Sequence, residues 1–281
     1  MASKGSKDNA QAFHDHYRRL ADKLHSRLAD DHLADDAELI HTLRVSIKKI
    51  RAILGLITEI DKQAPVDDYL ALLKLIFRPA GKLRETQINL ILIAKTDEPG
   101  LGTFGKYLER DAGEQLRRFK EVLVHFDNKA LLKSDRDIDN WLQGVDETFL
   151  VQQIRSSIES RQLLIRSLIP GMSDKDKLHP IRINVRALSG MLRLLHEMQP
   201  DRTLEVQPGE IRSILDAIGT WHDYDVLLAS LLRFINLNPG EVRLQTTARM
   251  QQLEQELAGR KQAAIDLLSR ATSFTGPVGG A

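Results

Sequence analysis

The stretch HTLRVSIK at residues 41–48 returns as HPIRINVR at residues 179–186, an offset of 138 residues. A second pair of segments, GKLRETQI at 81–88 and GTWHDYDV at 219–226, keeps the same offset. Two different motifs in one register indicate an internal duplication, since chance similarity rarely preserves both spacings. The chain is therefore predicted to contain two copies of one structural unit, at residues 1–136 and 137–281.

The spacing of apolar residues is helical along most of the chain. Apolar side chains recur every three or four positions, and alternating runs rich in Val, Ile and Thr are absent. The predicted fold class is all-α, with two four-helix bundles, one from each copy, joined near residues 127–136. Proline and glycine punctuate the pattern and bound eight predicted helices. They lie at residues 8–31, 36–62, 66–95, 101–126, 137–169, 176–198, 208–236 and 239–272.

The composition excludes several function classes. The 281 residues contain 40 Lys plus Arg and 39 Asp plus Glu, so a uniformly basic surface for nucleic acid or membranes is excluded. A balanced total still permits a basic face. The absence of cysteine excludes disulfides and thiol nucleophiles, and it fits a cytoplasmic protein. No apolar run approaches the ~20 residues that cross a bilayer, so we expect a soluble protein.

The cations of the repeated motif occupy a particular side of their helix. A rotation of about 100° per residue places them on an arc that adjoins the apolar arc of Ile40, Leu43 and Ile47. Solvating charges would lie opposite the apolar arc instead. The pattern predicts a basic groove at the edge of the core. Its predicted members on these helices are His41, Arg44, Lys48 and Arg51, and His179, Arg182, Arg186 and Arg193.

The following helix of each copy adds further candidates, unequally. Asp216 occupies the second-copy position that corresponds to Arg78, so the two copies differ in charge. For a single Lys or Arg, an exposed charge on an apolar stem is the simpler interpretation, but a repeated set of cations on one face favours an anion site. The added candidates are Lys74, Arg78, Lys82 and Arg84 in the first copy, and Arg212 and His222 in the second.

Two carboxylates are predicted to have a structural role. Glu85 and Asp223 occupy equivalent positions in the second motif, and we expect them to form ion pairs with Arg44 and Arg182 between helices. Because each lies beside cations that would lower its pKa, these carboxylates suit pairing better than proton transfer.

The sequence contains no recognisable catalytic motif. A glycine-rich phosphate loop, His-Glu-x-x-His and a nucleophile elbow are all absent, so we expect neither an enzyme nor a cofactor. Glu38-x-x-His41 matches one element of di-iron bundles, but the adjacent Arg44 disfavours a divalent cation, and we expect no metal. A nucleic-acid-binding role is a second alternative. It is disfavoured because aromatic residues make up only 5% of the chain.

The duplicated His-x-x-Arg motif, taken in order with Gly219-x-x-His222-Asp223-x-Asp225, resembles the CHAD family, the conserved histidine α-helical domain. The resemblance covers about residues 8–272. It implies two four-helix bundles related by a pseudo-two-fold axis, with a basic groove or pore between them. It also implies binding of inorganic polyphosphate without turnover, and association with polyphosphate granules in the cytoplasm.

The resemblance has limits that bear on function. CHAD domains often follow a triphosphate-tunnel (CYTH) domain, and none precedes this segment, so the chain resembles a stand-alone member. Glu85 and Gln87 stand where the family usually has two Asp residues. The basic residues that commonly follow the second motif are replaced after Arg186 by Ala-Leu-Ser-Gly, so weaker binding by the second copy is expected.

Overall fold

The computed structural model describes residues 5–95, 101–171, 175–199, 208–238 and 244–271. Over these ranges the chain forms helices and no strands, and the predicted all-α class is confirmed. None of the helices in these ranges is long and apolar enough to cross a bilayer. The helices are α1 (Gly5–Leu28), α2 (Ala37–Ile60), α3 (Asp67–Ala94), α4 (Gly102–Val124), α5 (Asn128–Gln143), α6 (Glu147–Leu168), α7 (Lys175–Met198), α8 (Pro208–Leu237) and α9 (Leu244–Arg270).

The region between the two predicted copies is a helix and not a linker. Residues 127–136 lie mostly in α5, and the single helix predicted at 137–169 is divided into α5 and α6. Asp127 accepts a hydrogen bond from the Ala130 amide, and Asp146 accepts one from the Phe149 amide. Aspartate at these positions satisfies free amides of the first turn and so begins each helix. The predicted boundary at 136/137 therefore falls inside α5.

Helix α5 is attached to α1 and α3 by polar side chains. Arg18 of α1 donates two hydrogen bonds to Asp139, at 2.8 and 2.6 Å. Tyr17 of α1 and Tyr69 of α3 both donate to Asp135. Paired guanidinium–carboxylate bonds fix orientation as well as distance. These polar contacts hold α5 against α1 and α3.

The apolar interior is divided into two cores that mix helices of both copies. The larger core joins α1, α2, α5, α6 and α7 with the N-terminal parts of α3 and α8 and the C-terminal parts of α4 and α9. The smaller core joins the far ends of α3 and α8 with α4 and α9, around Phe104, Leu231 and Phe234. Because each core needs helices from both copies, neither copy buries its apolar faces alone.

A level whose residues belong to neither core separates the two cores. On α3, the larger core ends at Leu83 and the smaller one begins at Leu90. On α8, the corresponding residues are Trp221 and Tyr224. The segments 84–89 and 222–223 therefore lie between the cores, and it is here that charged side chains converge.

Candidate functional site

Basic side chains from four helices and both copies converge at the level between the cores. Helix α2 contributes three of them, α3 one, α7 two and α8 one, and α8 adds a carboxylate. These groups are close enough to interact electrostatically. We call this group the central cluster. Its members are His41, Arg44, Lys48, Arg84, Arg182, Arg186, His222 and Asp223.

The central cluster holds more positive charge than its surroundings stabilise. Burial, together with the neighbouring guanidinium groups, lowers the pKa of Lys48 to about 7 and that of Arg182 to about 10. Burial likewise lowers the pKa of Arg44. A lowered pKa for a base means that its charged form is destabilised in the folded protein. The cluster therefore reduces the stability of the ligand-free fold, as sites built for an oppositely charged partner do.

Asp223 is the carboxylate inside this cluster, and it is shared. Its charge interacts with Arg84 of the first copy and with Arg182, Arg186 and Lys48. Burial nevertheless raises the pKa of Asp223, because loss of hydration outweighs those cations. The cations do lower the pKa of Asp223, as expected, but the expectation of a net lowering is wrong for this residue. One carboxylate distributed over several cations neutralises only part of their charge.

Arg44 is held by α3 in a way that the sequence did not indicate. Its Nη1 donates to the Phe77 carbonyl at 3.0 Å, and its guanidinium carbon lies 4.5 Å from the centre of the Phe77 ring. Glu85 acts on Arg44 electrostatically, but the direct ion pair of Glu85 is with Lys82, at 3.8 Å. The predicted Arg44–Glu85 pair is thus replaced by a carbonyl and a ring, which orient Arg44 without neutralising it.

Two guanidinium groups in the cluster have unsatisfied donors. The Nε atoms of Arg84 and Arg182 are buried and lack a hydrogen-bond partner within the described residues. A buried donor left unpaired costs about 1–3 kcal/mol. An anionic oxygen that entered the cluster would satisfy such donors and offset the excess charge.

Comparison with known proteins gives the family. The CHAD domain profile matches residues 11–170 and 165–273, nearly the whole chain. The chain belongs to the CHAD family. Its structure is similar to the crystal structure of the CHAD domain from the plant Ricinus communis, with a TM-score of 0.71 and 15% sequence identity over 96% of this chain and 94% of that chain. At this identity the likeness concerns the fold alone. A search of curated proteins finds no match.

Two half-buried histidines of the central cluster, His41 and His222, are neutral near physiological pH. Burial, with Arg182 and His179 nearby, lowers the pKa of His222 to about 4. Burial and Arg84 lower the pKa of His41 as well. His179 is exposed, with its ring centre 6.3 Å from that of His222. His41 and His222 therefore offer uncharged ring nitrogens to a ligand, while Lys48 titrates near neutral pH.

Several predicted groove residues lie outside the central cluster. Arg193 is exposed and lies near Lys49, on another part of the α2–α7 contact. The Arg212 side chain is 85% exposed, with its Nε 3.9 Å from Asp216. Arg51 lies 5.1 Å from the centre of the Phe77 ring, on the outer side of α2. The exposed cations of α3 are also outside the cluster: Lys74, Arg78 and Lys82.

Arg44 of the central cluster also lines a neighbouring pocket between α3 and α4. The pocket has a volume of about 590 Å³, and Arg78, Lys82 and Arg118 border it together with Phe77. Arg78 and Lys82, two α3 cations outside the central cluster, thus lie together at the pocket next to the cluster. They face α4 across this pocket and do not join the central cluster.

A metal site receives no support from the residues that the structure describes. In those ranges no group of three or more His, Asp or Glu side chains is arranged to hold an ion. The Glu38-x-x-His41 element therefore lacks the additional carboxylates that a di-iron bundle requires.

Phe77 and Gly81 are the site residues that sequence reasoning missed. Gly81 was part of a recognised motif, but only as a landmark of the repeat. A Cβ at Gly81 would clash with Nη1 of Arg44, whereas a Cβ at Gly219 would have no neighbour within 4 Å. Of the two equivalent glycines, only Gly81 leaves room for an arginine side chain, and the aligned motifs do not show this difference.

This asymmetry predicts opposite effects for two matched substitutions. We expect Gly219→Ala to stabilise the protein by about 0.5–1 kcal/mol through helix propensity. We expect Gly81→Ala to destabilise it by about 1 kcal/mol, because displacing Arg44 breaks its bond to the Phe77 carbonyl. Urea denaturation of both variants measures the difference. If both alanine variants were stabilised equally, Gly81 would not be needed to make room for the Arg44 guanidinium.

Proposed function

We propose that this CHAD chain binds inorganic polyphosphate in the central cluster, without turnover. The observation that carries the proposal is a buried group of cations from both copies that shares one carboxylate, Asp223. Binding a dense, linear anion there offsets the mutual repulsion and supplies acceptors for the free Nε donors of Arg84 and Arg182. The family resemblance supports the same ligand.

A chain of phosphates suits the spacing of these cations. Arg44 and Lys48 are separated by one helical turn, about 6 Å along α2, so they can contact successive or alternate phosphates. Arg186 on α7 extends the row into the second copy. Arginine engages phosphate with two parallel hydrogen bonds, whereas lysine acts as a compact charge, so the mixture holds a flexible chain without demanding one register.

Binding without chemistry follows from what the cluster offers. Its permanently charged members are four arginines, and its one carboxylate, Asp223, interacts with several of the cluster's basic groups. Hydrolysis of a phosphoanhydride would require an activated nucleophile or a metal ion. We therefore propose a binding protein and not an enzyme. The family resemblance further supports a location in the cytoplasm, in association with polyphosphate granules.

The principal alternative is a nucleic-acid ligand in the same place. Duplex DNA is a wide rod, and the central cluster lies between helices at the level between two cores, so its cations suit a single narrow phosphate chain better. The low aromatic content also disfavours stacked single strands.

A competition experiment separates these ligands. We expect unlabelled long-chain polyphosphate to displace a labelled polyphosphate probe at least about tenfold more effectively than duplex DNA at equal phosphate concentration. Fluorescence anisotropy at physiological ionic strength measures the displacement, since low salt exaggerates nonspecific binding. Displacement by DNA at the same phosphate concentration would favour the nucleic-acid function instead.

A further inference from the structure

The pocket between α3 and α4 has the size and the lining of a small-molecule site, and we call it the α3–α4 pocket. Its volume of about 590 Å³ lies within the range of about 300–1,000 Å³ that such sites usually have. Phe77 and Pro79 of α3 and Val122 of α4 give it an apolar wall, and four basic side chains complete the lining. This combination suits a ligand with one apolar part and one strongly anionic part.

The basic side chains of the α3–α4 pocket are weakly neutralised by their neighbours. Glu85 is the one carboxylate in its lining, and its oxygen lies 3.8 Å from the Lys82 Nζ. Arg118 pairs with Glu114 on its own helix. Both pairs are exposed to solvent, and such pairs contribute little stability. A polyanionic ligand can therefore replace these carboxylates at small cost.

The α3 cations of this pocket are not part of the internal duplication. At the offset of 138 residues, Arg78 corresponds to Asp216, and Lys82 corresponds to Thr220. Both copies contribute arginines to the central cluster, whereas these two cations belong to the first copy alone. The basic side of the α3–α4 pocket therefore needs an explanation that the repeated motif does not supply.

Arg44 is common to the α3–α4 pocket and the central cluster. Its Nη1 donates to the Phe77 carbonyl at 3.0 Å, and Gly81 leaves room for the guanidinium against α3. A guanidinium group has several N–H donors, so the bond to this carbonyl leaves others for an anion. An anion that binds Arg44 from the pocket consequently reduces the positive charge that the cluster offers to its own ligand.

We propose that the α3–α4 pocket binds a nucleoside triphosphate, with the phosphates on Arg78, Lys82 and Arg118 and the base against the apolar wall. Arginine holds phosphate oxygens with paired hydrogen bonds, and lysine adds a compact charge. The base supplies the apolar surface that inorganic polyphosphate lacks. A further consequence rests on the proposed function: because the two ligands share Arg44, each weakens the binding of the other.

Titration calorimetry at physiological ionic strength tests this site with ATP, GTP and inorganic tripolyphosphate, which has the same phosphate chain without a nucleoside. We expect the better of the two nucleotides to bind at least about fivefold more tightly than tripolyphosphate, because only a nucleotide contacts the apolar wall. Arg78→Gln/Lys82→Gln should lower its affinity at least about tenfold, since two charged hydrogen-bond donors are lost.

The matched control is Arg110→Gln/Lys120→Gln, which removes the same two residue types from exposed positions of α4. We expect it to change the nucleotide affinity by less than about threefold, because salt screens exposed charges. Nucleotides that bind no better than tripolyphosphate, or equal losses in the two double variants, would overturn the proposal.

Arg182→Gln separates the α3–α4 pocket from the central cluster, since Arg182 belongs to the cluster and does not line the pocket. We expect this variant to bind long-chain polyphosphate at least about fivefold more weakly and nucleotide within about threefold of the wild type. If Arg182→Gln lowers nucleotide affinity as much as Arg78→Gln/Lys82→Gln does, the nucleotide lies in the cluster and the proposal is wrong.

A last titration measures long-chain polyphosphate binding with and without saturating nucleotide. We expect at least about threefold weaker polyphosphate binding with nucleotide in the wild type, and no change in Arg78→Gln/Lys82→Gln. Independent binding of the two ligands would disprove the coupling through Arg44. Nucleotide binding without polyphosphate binding would eliminate the proposed function and leave the pocket standing. Polyphosphate binding without a preference for nucleotide over tripolyphosphate would eliminate the pocket proposal alone.

Discussion

The triple variant Arg44→Ala/Lys48→Ala/Arg186→Ala should bind long-chain polyphosphate at least about 100-fold more weakly than the wild type at physiological ionic strength. Hydrogen bonds to charged groups contribute about 1.5–3 kcal/mol each, and every 1.4 kcal/mol corresponds to a factor of ten. The slope of log Kd against log salt should also fall by about two, because fewer counterions are released. Titration calorimetry over a salt series measures both quantities.

The matched control removes the same number of cations from the solvent face of α4. Arg110→Ala/Arg117→Ala/Lys120→Ala changes the net charge equally, and all three side chains are exposed. We expect its affinity to remain within about threefold of the wild type, because exposed charges are screened by salt. If both triple variants lose affinity to the same degree, the ligand responds to overall charge, and the central cluster is not its site.

Lys48→Met should raise the stability of the ligand-free protein at pH 6 by roughly 2–4 kcal/mol, since each unit of pKa shift corresponds to about 1.4 kcal/mol. The folded protein lowers the pKa of Lys48 from 10.5 to about 7, so below pH 7 it carries the full cost of a buried charge. Between these values the unfolded chain binds more protons, and the wild-type stability rises with pH. The advantage of methionine should therefore disappear near pH 10.

Urea denaturation at pH 6, 8 and 10 measures this trend, with Lys74→Met as the control on the exposed side of α3. We expect the control to change stability by less than about 0.5 kcal/mol at every pH. A Lys48→Met variant that is less stable than the wild type at pH 6 would mean that the cations of the cluster are internally compensated. The variant should bind polyphosphate more weakly, so stability and binding change in opposite directions.

Some of the site follows from helical periodicity. The three-to-four spacing of His41, Arg44 and Lys48 places them on one side of α2, and the repeat places Arg182 and Arg186 similarly on α7. The structure brings these residues together in the central cluster. Arg193 and Arg212 satisfied comparable sequence criteria but lie elsewhere. Periodicity specifies the angle of a side chain around its helix, but not the level at which that helix meets its neighbours.

Other features depend on contacts between distant parts of the chain. Phe77 and Gly81 position Arg44, and they do so because α3 crosses α2 at that height. The first half of α5 was also not predicted, because charged residues dominate that segment and only the packing of Leu131 and Ile138 in the core shows its apolar side. The position of Arg44 and the extent of α5 can be predicted only when the packing of the helices against one another is known.

The sequence alone determined the all-α class, the repeated motif and the side of each motif helix that carries its cations, because these follow from local spacing. The tertiary structure decided which cations meet and how strongly they repel one another. Arg84 and Asp223 come from different copies, yet they share one level between the cores. The pKa of Lys48 depends on burial and on charges of α7 and α8 that lie more than a hundred residues away. Electrostatic strength depends on distance and hydration in three dimensions, and neither is encoded in the spacing along one helix.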